Sequence, residues 1–335
     1  MRVLVVNAGS TSLKLSLVDS DDVSTPVESL ETAPPGVAAV GYRVVHGGSR
    51  FREPLLIDDA VLEQLDALTQ LAPLHNAPAI AAVRETRATL RDVPHVAVFD
   101  TAFHASLPEE AYTLTLPLRF RDELGVRRFG FHGLSVEWAA EQVPVPRLVV
   151  CHLGGGSSVT AVLDGESVDT TMGFTPLDGV PMETRPGSLD PGVLLHLLRS
   201  GLELDELDHV LEYESGLLGI SGLADMKAAL ASDDPRARLA IAIFTRRIAA
   251  AVAASATVVD GLDALVFTGG VGERSARVRA EVCSRLGVLG VELDAEANTA
   301  AAGDAEIASD GSHVRVLVVR SREDVVIARA VRALF

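Results

Sequence analysis

The fold class is decided by the opening segment, Val3-Leu4-Val5-Val6-Asn7-Ala8-Gly9-Ser10-Thr11-Ser12-Leu13-Lys14-Leu15-Ser16-Leu17. A short β-branched run stops at a turn rich in glycine and serine, and alternation of apolar and polar residues resumes at Leu13. This pattern predicts a buried strand, a tight turn and a second strand.

A second copy of this hairpin begins at Leu148. The apolar run 148–151 leads into His152-Leu153-Gly154-Gly155-Gly156-Ser157-Ser158, and another apolar run follows at residues 159–163. Two hairpins of one design indicate a duplicated domain, with one glycine-rich tip from each half. Prolines in the polar stretch 141–146 place the boundary between the halves there.

The remaining pattern alternates strands with helices. Helices are predicted at about residues 60–71, 77–90, 191–199, 202–211, 236–258 and 324–334, and strands at residues 96–99, 265–268 and 314–319. Such alternation is typical of the α/β class.

Composition narrows the class of protein. A chain of 335 residues fits two domains of about 150 each. The net charge of −17 argues against binding to nucleic acid or to anionic membranes. Cys151 and Cys283 lie in or beside apolar runs, which predicts buried thiols and a reducing cytoplasm. The N-terminus lacks a signal-peptide core, and the apolar stretch 248–259 is short and alanine-rich, which predicts a buried helix.

Glycine-rich turns are the first candidates for a ligand site. They occur at residues 7–12, 47–48, 154–158 and 269–272. Glycine lets backbone N–H groups approach a phosphate closely, although each turn alone could equally be a plain hairpin. No Gly-Lys-[Ser/Thr] sequence is present, and Ser275 stands where a dinucleotide-binding fingerprint would have its third glycine.

Polar residues at strand ends are the second group of candidates. Arg43, Asp100, His132 and Arg185 each interrupt or follow an apolar run. Ligands of α/β sheets bind outside the carboxyl ends of strands, so these positions are reasonable, although an isolated Arg is usually a surface residue and an isolated His usually a core residue. No zinc-type spacing occurs, so a metal would have to be Mg²⁺-like, with oxygen ligands.

Taken together, the motifs resemble the acetate kinases, within the superfamily of acetate and sugar kinases, heat-shock 70 proteins and actin. The matching segments run in the family's order over almost the whole chain: residues 5–14, 43–48, 71–76, 99–104, 128–133, 152–158, 171–177, 184–185, 225–226 and 267–273.

The resemblance implies a duplicated ribonuclease-H-like (actin-like ATPase) fold with two domains and an interdomain cleft. The implied domains are residues 1–146 plus the C-terminal helix 322–335, and residues 147–321, with homodimerisation through the second. The implied reaction is reversible transfer of the γ-phosphoryl of ATP to acetate, giving acetyl phosphate and ADP, with Mg²⁺ or Mn²⁺.

The resemblance also implies residue roles. The catalytic positions are Asp100, His132 and Arg185, and the metal positions are Asn7 and Glu323. Arg43 matches the partner of the substrate carboxylate, and Val45, Leu74, Phe131 and Pro176 match a pocket for its methyl group. The nucleotide-binding positions are Ser10, Ser12, Lys14, His152, Leu153, Gly154, Gly155, Gly156, Asp225, Met226, Lys227, Gly270, Val271, Gly272, Glu273 and Arg274. Since acetate is already ionised at pH 7, Asp100 is interpreted as a Mg²⁺-water or positioning ligand rather than as a base.

Several residues depart from the family pattern: Tyr42, Gly155, Pro186, Lys227, Arg274 and Arg322. Most of them gather on the expected donor side, which leaves open the purine selectivity and the use of pyrophosphate or polyphosphate. Two alternatives remain for the function. One is a propionate or butyrate kinase of the same fold, because one methylene changes binding by only about 1–3 kcal/mol. The other is an actin-like nucleotide-binding protein without carboxylate kinase activity.

Overall fold

The computed structural model describes residues 1–8, 13–30, 35–71 and 73–335, apart from the side chains of residues 70, 71 and 73–75. Within these residues the first sheet has six strands: β1 (Val3–Ala8), β2 (Leu13–Val18), β3 (Ser24–Val27), β4 (Ala39–Val44), β5 (Leu55–Leu56) and β6 (His95–Phe99). Their order is β3-β2-β1-β4-β6-β5. β1, β4 and β6 are parallel, and β1 forms the predicted hairpin with β2.

The second sheet repeats the first. Its strands are β7 (Arg147–Leu153), β8 (Ser157–Leu163), β9 (Glu166–Thr170), β10 (Ala264–Thr268), β11 (Ala305–Glu306) and β12 (Arg315–Val318), in the order β9-β8-β7-β10-β12-β11 when read from the hairpin side. β7, β10 and β12 are parallel, and β7 and β8 form the second hairpin. Since corresponding strands occupy corresponding places, the duplicated α/β fold expected from the two hairpins is confirmed.

Helices connect and cover the strands. They are α1 (Asp59–Ala67), α2 (Pro73–Thr89), α3 (Glu109–Tyr112), α4 (Arg119–Leu124), α5 (Gly133–Gln142), α6 (Pro191–Arg199), α7 (Leu204–His209), α8 (Gly216–Ser221), α9 (Met226–Ala231), α10 (Pro235–Val258), α11 (Gly269–Arg274), α12 (Ala276–Cys283), α13 (Ala295–Ala300) and α14 (Glu323–Arg332). Short 3-10 turns occupy Leu68–Leu71, Phe103–Ser106 and Gly287–Leu289, and Val210–Glu214 is a π-helical turn.

The two faces of the first sheet belong to different cores, because successive strand residues point to opposite faces. Leu4 and Val6 pack with α1 and α2 on the outer face. Val3 and Val5 belong to a second cluster, which also contains Leu148 of the second sheet together with residues of α5 and α14. This shared cluster joins the two halves of the chain.

Helix α14 packs closely on the first sheet although it is far away in sequence. Its residues Val325, Ile327 and Val331 are buried. Gly41 of β4 makes this approach possible, because a Cβ there would lie 2.6 Å from Cγ2 of Ile327 and 2.8 Å from Cγ2 of Val331. The assignment of residues 322–335 to the first domain stays a prediction, and this packing is the observation that favours it.

In the described residues, one helix, α10, is long and apolar enough by length and composition to cross a membrane. Half of its most apolar stretch is buried. Ile241, Phe244, Ile248 and Val252 lie in the core of the second half, against the strands of that sheet. The core position accounts for the apolar composition of this helix.

The structure differs from the sequence prediction at residues 202–211. Helix α7 ends at His209, and the chain continues as the π-helical turn Val210–Glu214. Hydroxyl groups stabilise this turn: Ser215 Oγ donates to the Val210 carbonyl at 2.7 Å, and Thr184 Oγ1 donates to the Glu212 carbonyl at 2.7 Å. The deviation therefore comes from contacts with residues outside the helix.

Candidate active site

A cleft of about 940 Å³ collects residues from both halves of the chain. The first half contributes residues from β1 to β4 and from the segments that follow β4 and β6, and the second half contributes both glycine-rich turns. The predicted site residues that line it are Asn7, Lys14, Arg43, Val45, Asp100, Phe131, His132, His152, Gly154, Gly155, Gly156, Pro176, Arg185, Gly270, Glu273, Arg274 and Glu323.

An ion-paired cluster forms one wall of the cleft. Arg43 donates from Nε to Asp100 Oδ1 at 2.8 Å and from Nη2 to Asp100 Oδ2 at 2.5 Å, while its Nη1 donates to Asn7 Oδ1 at 3.2 Å. Asn7 Nδ2 donates to Glu323 Oε2 at 3.1 Å. Each terminal nitrogen of Arg43 carries a second N–H. The guanidinium therefore keeps donors for a further anion while it holds Asp100.

Strand order explains why these residues meet. β1, β4 and β6 are parallel neighbours, so their carboxyl ends lie at one edge of the sheet. Asn7 and Arg43 are close to the ends of β1 and β4, and Asp100 follows β6 directly. Glu323 reaches this edge from the first turn of α14.

Mutual charges favour the ionised forms of Arg43 and Glu323, whereas for Asp100 burial outweighs the opposing charge of Arg43 and raises the pKa. Burial opposes the charge on Arg43, but the carboxylates of Asp100 and Glu323 outweigh it and raise the Arg43 pKa above its ordinary value. Burial likewise opposes the charge on Glu323, and Arg43 is the largest of the influences that nevertheless lower its pKa.

Two stacked imidazoles lie close to this cluster. The rings of His132 and His152 have centroids 4.1 Å apart and an interplanar angle of 22°. His132 has a φ of 60°, a left-handed conformation that is uncommon for a residue other than glycine, and it directly precedes α5. Gly133 lets α5 begin there, since a Cβ would lie 2.2 Å from the Asp100 carbonyl oxygen. This backbone arrangement fixes His132 beside Asp100.

Arg185 is held by a loop that packs on the π-helical turn. Its Nη1 donates to the Pro176 carbonyl at 3.1 Å, and its Nε lies 3.9 Å from Glu212 Oε2. Burial lowers the pKa of Arg185, and the carboxylates of Glu212 and Glu183 oppose that shift. Glu212 is thus the carboxylate that pairs with Arg185, a role that the sequence did not indicate.

An apolar pocket adjoins Arg43. Val45 and Phe131 line the cleft and pack with Phe129, Met172 and Met182 in one small cluster. Pro176 is buried at the same wall. The pocket is therefore built from both halves of the chain, next to the one guanidinium that is paired with Asp100.

The glycine turns of the second half lie side by side because β7 and β10 are parallel neighbours. A Cβ on Gly154 would lie 3.8 Å from the Gly270 amide nitrogen. Glu273 ties the second turn to the C-terminal segment, because its Oε1 accepts from the Gly269 amide at 3.1 Å and from the Ser321 amide at 3.0 Å. Lys14 stands on the opposite side of the cleft, paired with Asn7 in the first hairpin.

Other predicted nucleotide-binding residues do not face the cleft. Leu153, Met226 and Val271 are buried in the core of the second half. Gly272, Asp225 and Lys227 are not among the residues that line the cleft, and Asp225 caps α9 by accepting from the Lys227 amide. Ser10 and Ser12 lie outside the described residues, as does the side chain of Leu74.

Glu183 was missed by sequence reasoning. It lies beside both the glycine turn and residue 225: a Cβ on Gly155 would be 3.2 Å from Glu183 Oε2. Burial raises the pKa of Glu183, and the charge of Asp225 adds to that shift. Its position in Met182-Glu183-Thr184-Arg185 was visible, but no spacing rule connects an isolated Glu to a turn far away in sequence.

The residues that depart from the family pattern have different surroundings. Tyr42 points away from the cleft, and its hydroxyl lies 2.7 Å from His95 Nδ1. Arg322 lies over the Trp138 ring and donates to the Asp22 carbonyl. Arg274, by contrast, is exposed and lines the cleft. Of these three departures, the added charge of Arg274 is the one that a ligand in the cleft would meet.

Comparison with known proteins identifies the family. Residues 28–329 match the model of the Acetokinase family. The chain belongs to this family. It is 46% identical to the acetate kinase of Synechococcus over 306 residues, covering 88% of this chain and 76% of the relative. It is 37% identical to the acetate kinase of Clostridium beijerinckii over 393 residues, covering 98% of both.

Solved structures agree with this assignment. A propionate kinase from Francisella tularensis superposes with a TM-score of 0.91 at 34% identity, covering 98% of each chain. The acetate kinase of Porphyromonas gingivalis superposes with a TM-score of 0.87 at 31% identity, covering 99% of each chain. The two-domain fold and the kinase class expected from the resemblance are thereby confirmed, whereas the individual residue roles stay predictions.

Proposed function

We propose that this protein is an acetate kinase that transfers the γ-phosphoryl group of ATP reversibly to acetate. The observation that carries the proposal is the arrangement of the cleft. Arg43, which keeps unused N–H donors, adjoins the apolar pocket of Val45 and Phe131, and both face the glycine turns at residues 154–156 and 269–270. A small carboxylate with a short alkyl group matches that combination of charge and apolar surface.

The acceptor needs positioning rather than activation. Acetate is ionised at neutral pH, so no base has to remove a proton from it. Arg43 binds the carboxylate through its remaining N–H groups, and the methyl group lies against Val45 and Phe131. Asp100 and Asn7 hold the guanidinium in place. The nucleophilic oxygen is thereby directed toward the donor side of the cleft.

The transferring phosphoryl group needs compensation of charge on its equatorial oxygens. Arg185 and His132 supply this from the second and the first half of the chain, respectively. Lys14 and Arg274 bind the donor phosphates from opposite sides of the cleft, and the backbone of the glycine turns approaches them closely. These cations are concentrated in the cleft, so the cleft can bind an anionic substrate although the chain has a net charge of −17.

We propose Mg²⁺, with Mn²⁺ as a substitute, as the metal of the reaction. Mg²⁺ is usually held by one or two carboxylates together with water and substrate phosphates. Glu323, Asn7 and Asp100 are hard oxygen donors at one edge of the cleft and fit that requirement. When bound, the ion would neutralise charge on the phosphates. Among the described residues no cluster of three or more His, Cys, Asp or Glu side chains occurs, and water and the substrate phosphates would supply the remaining ligands.

The test is acyl-hydroxamate formation from acetate, propionate and butyrate, each with ATP, GTP and pyrophosphate. We expect acetate with ATP to give the highest kcat/KM, and Arg43→Gln to reduce it by at least about 100-fold, because a charge-assisted contact to the substrate is lost. Arg50→Gln is the matched control, since Arg50 is exposed and outside the cleft. Absence of any acyl phosphate would contradict the proposal and would favour an actin-like nucleotide-binding protein.

Propionate is the second candidate acceptor. The similarity to a solved propionate kinase favours it, and so does the presence of Met172 and Met182 in the pocket cluster, since methionine adapts readily to a change in volume. A kcat/KM for propionate that exceeds the value for acetate would assign the protein to this activity instead.

We propose that the protein is a homodimer and that it works in the reducing cytoplasm. Helix α6 supports the dimer, because it has no buried residue although most of its residues are apolar. Val193, Leu195 and Leu198 are exposed on it, which is unusual for a monomer. Size-exclusion chromatography with light scattering should give twice the chain mass, and Leu195→Glu should reduce it to that of a monomer. The buried, unpaired thiols of Cys151 and Cys283 support the compartment.

A further inference from the structure

The two stacked imidazoles of the cleft share a feature that no predicted role uses. Each has its Nδ1 beside a serine hydroxyl: His132 Nδ1 lies 3.0 Å from Ser158 Oγ, and His152 Nδ1 lies 2.8 Å from Ser135 Oγ. The hydrogen bond made by one ring nitrogen decides which nitrogen of a neutral imidazole carries the proton. These serines therefore control what the opposite nitrogen, Nε2, can do.

The direction of the first bond follows from burial. Ser158 is completely buried, and in the described residues its hydroxyl has no hydrogen-bond partner other than His132 Nδ1. If Nδ1 carried the proton and donated it, the hydroxyl hydrogen of Ser158 would be left without an acceptor in the interior, which is unfavourable. The hydroxyl thus donates, Nδ1 accepts, and the ring proton resides on Nε2.

A serine relay sets the direction of the second bond. Ser321 Oγ donates to Ser135 Oγ at 3.1 Å, and His152 Nδ1 is the one acceptor among the described residues for the hydroxyl hydrogen of the completely buried Ser135, which therefore donates to it. Ser135 is itself buried in α5. Ser321 precedes α14, and its amide is fixed by Glu273. The relay therefore links the ring of His152 to the segment that carries the second glycine turn.

A third histidine shows the same arrangement with its direction fixed independently. His104 Nδ1 lies 2.8 Å from Ser167 Oγ, and His104 Nε2 lies 3.0 Å from the Phe131 carbonyl. A carbonyl only accepts, so Nε2 of His104 must carry the proton and Nδ1 must accept from Ser167. Because His104 is buried and does not line the cleft, this pair is a natural control.

Both Nε2 atoms of the cleft histidines face the glycine turn at residues 154–156. A Cβ on Gly156 would lie 3.0 Å from His132 Nε2, and a Cβ on Gly154 would lie 3.9 Å from His152 Nε2. Neither Nε2 makes a hydrogen bond to another described residue of the chain. The absence of side chains on this turn leaves room for a ligand oxygen at both nitrogens.

We propose that Ser158 and Ser135 are positioning residues that hold His132 and His152 as neutral imidazoles with the proton on Nε2. Two parallel N–H donors then point from the stacked rings into the cleft and bind oxygens of the phosphoryl group during its transfer. This inference rests on the proposed phosphoryl transfer for its purpose, but the proton positions can be measured without turnover.

The surroundings favour the neutral rings that this arrangement requires. Burial lowers the pKa of His132 well below its ordinary value, and the neighbouring His152, Arg43 and Arg185 add to the shift. Burial also lowers the pKa of His152 to about 4. Stacked rings at this distance could not both be cationic without strong repulsion. Neutral rings donate without placing a further full charge beside Arg185.

The first experiment is long-range ¹H–¹⁵N correlation NMR of ¹⁵N-histidine-labelled protein near pH 7. His132 and His152 are assigned from the spectra of His132→Gln and His152→Gln proteins. We expect both rings to show the Nε2–H pattern, and His104 to show it as well. An Nδ1–H or imidazolium pattern for both cleft histidines would overturn the proposal, whether or not the protein proves to be a kinase.

The second experiment combines kinetics with the same NMR measurement. In Ser158→Ala we expect His132 to lose its single tautomer and kcat to fall roughly 10- to 100-fold, with KM values changed less than threefold, since a donor to the transition state is lost. Ser158→Thr should restore both readouts, because it restores the hydroxyl. Ser135→Ala should act in the same way on His152.

Ser167→Ala is the matched control. It removes a serine from a histidine outside the cleft, so His104 should keep its Nε2–H tautomer through the Phe131 carbonyl and kcat should stay within about twofold of the wild type. An unchanged kcat in Ser158→Ala, with the tautomer altered as expected, would show that the proton position has no role in turnover and would overturn the functional part of the proposal.

Discussion

At the scale of single residues, the Arg43–Asp100 pair is the shortest ion pair of the cleft, at 2.5 Å. Asp100 is 1% exposed and Arg43 is 16% exposed, so solvent screens the pair weakly. Removing one partner of such a pair leaves the other charge uncompensated, which costs more than the pair itself contributes. Asp100 is therefore expected to affect both stability and catalysis.

We predict that Asp100→Asn lowers kcat by at least about 100-fold and the free energy of unfolding by about 2 kcal/mol, because Arg43 loses its bidentate partner. Its dependence on Mg²⁺ concentration should also change. Coupled kinetic assays and urea denaturation measure these effects. Asp122→Asn is the control, since Asp122 pairs with Arg121 at an exposed site and such pairs contribute little. An unchanged Mg²⁺ dependence would argue against a place for Asp100 near the metal.

Glu137 gives the protein a predicted pH dependence of stability. Burial raises its pKa from 4.5 to about 7, with Glu141 adding to the shift. The folded state then holds a proton that the unfolded state releases between these two values, so the contribution of Glu137 to stability falls as the pH rises from about 4.5 to about 7. Its carboxylate form is thus a liability at neutral and alkaline pH.

We predict that Glu137→Gln stabilises the protein at pH 8 by up to about 3 kcal/mol and leaves it almost unchanged at pH 4.5, because the amide never has to be charged in the interior. Thermal unfolding at a series of pH values measures this. Glu141→Gln removes the neighbouring charge but also the ion pair with Arg329, and should therefore give little or no gain. Equal effects of Glu137→Gln at both pH values would show that the Glu137 pKa is not raised.

At the scale of secondary-structure elements, the π-helical turn Val210–Glu214 determines the position of Glu212. Such turns are rare and frequently occur at functional sites. Glu212 is half-buried beside Arg185, whereas Glu214 of the same turn is exposed and lies 3.4 Å from His209. One element thus presents one carboxylate to Arg185 and another to solvent.

We predict that Glu212→Gln reduces kcat/KM about tenfold, because Arg185 loses the carboxylate that orients it. Glu214→Gln is the matched control and should change kcat/KM by less than twofold. Steady-state kinetics for both substrates separates the effects on binding and on turnover. If the two variants behave alike, orientation of Arg185 does not depend on Glu212.

The elements that sequence could predict are those with a strong local pattern. Both hairpins, the α/β class and most of the long helices follow from periodicity and from glycine position, and Arg43 and Asp100 follow from their places at strand ends. His132 and Arg185 were expected at strand ends as well, but they lie in the segment before α5 and in the segment between β9 and α6. The π-helical turn could not be predicted from a local pattern. Thr184, which stabilises it, is distant in sequence, and Ser215 bonds the carbonyl five residues before it, which is not the spacing of an α-helix. Glu183 and Glu212 were missed for the same reason.

The family motifs assigned more side chains to the nucleotide site than face the cleft. Leu153, Met226 and Val271 belong to matching segments, yet their side chains lie in the core. A motif records residues that are needed together, and some of them are needed to hold a turn rather than to touch a ligand. Their roles as nucleotide contacts stay predictions, and only their backbone groups are candidates.

At the scale of the whole molecule, the cleft takes residues from both halves, so the relative position of the halves should control the reaction. Closure around bound substrates excludes water from a reacting phosphoryl group. The shared core of α5, α14 and the facing strands joins the halves. The pocket cluster of Val45, Phe131 and Met172 joins them as well, and so does the contact between His104 and Ser167. The glycine turns and the acceptor pocket are therefore expected to approach each other when both substrates are bound.

We predict that the radius of gyration falls when nucleotide and acetate are both present, and that nucleotide alone produces a smaller change. Small-angle X-ray scattering at constant protein concentration measures this. Arg43→Gln protein, which should bind the nucleotide but not acetate, is the control and should show only the smaller change. An identical scattering profile with and without both substrates would exclude closure of this kind.

The close packing of α14 on β4 has a consequence for biosynthesis. Ile327 and Val331 cover Gly41, and Val325 joins the same core, so the first sheet lacks part of its cover until residues 323–332 have left the ribosome. The half of the protein that is synthesised first is therefore completed last. Until then a nascent chain presents an apolar sheet face to solvent, and we expect it to depend on chaperones during that interval.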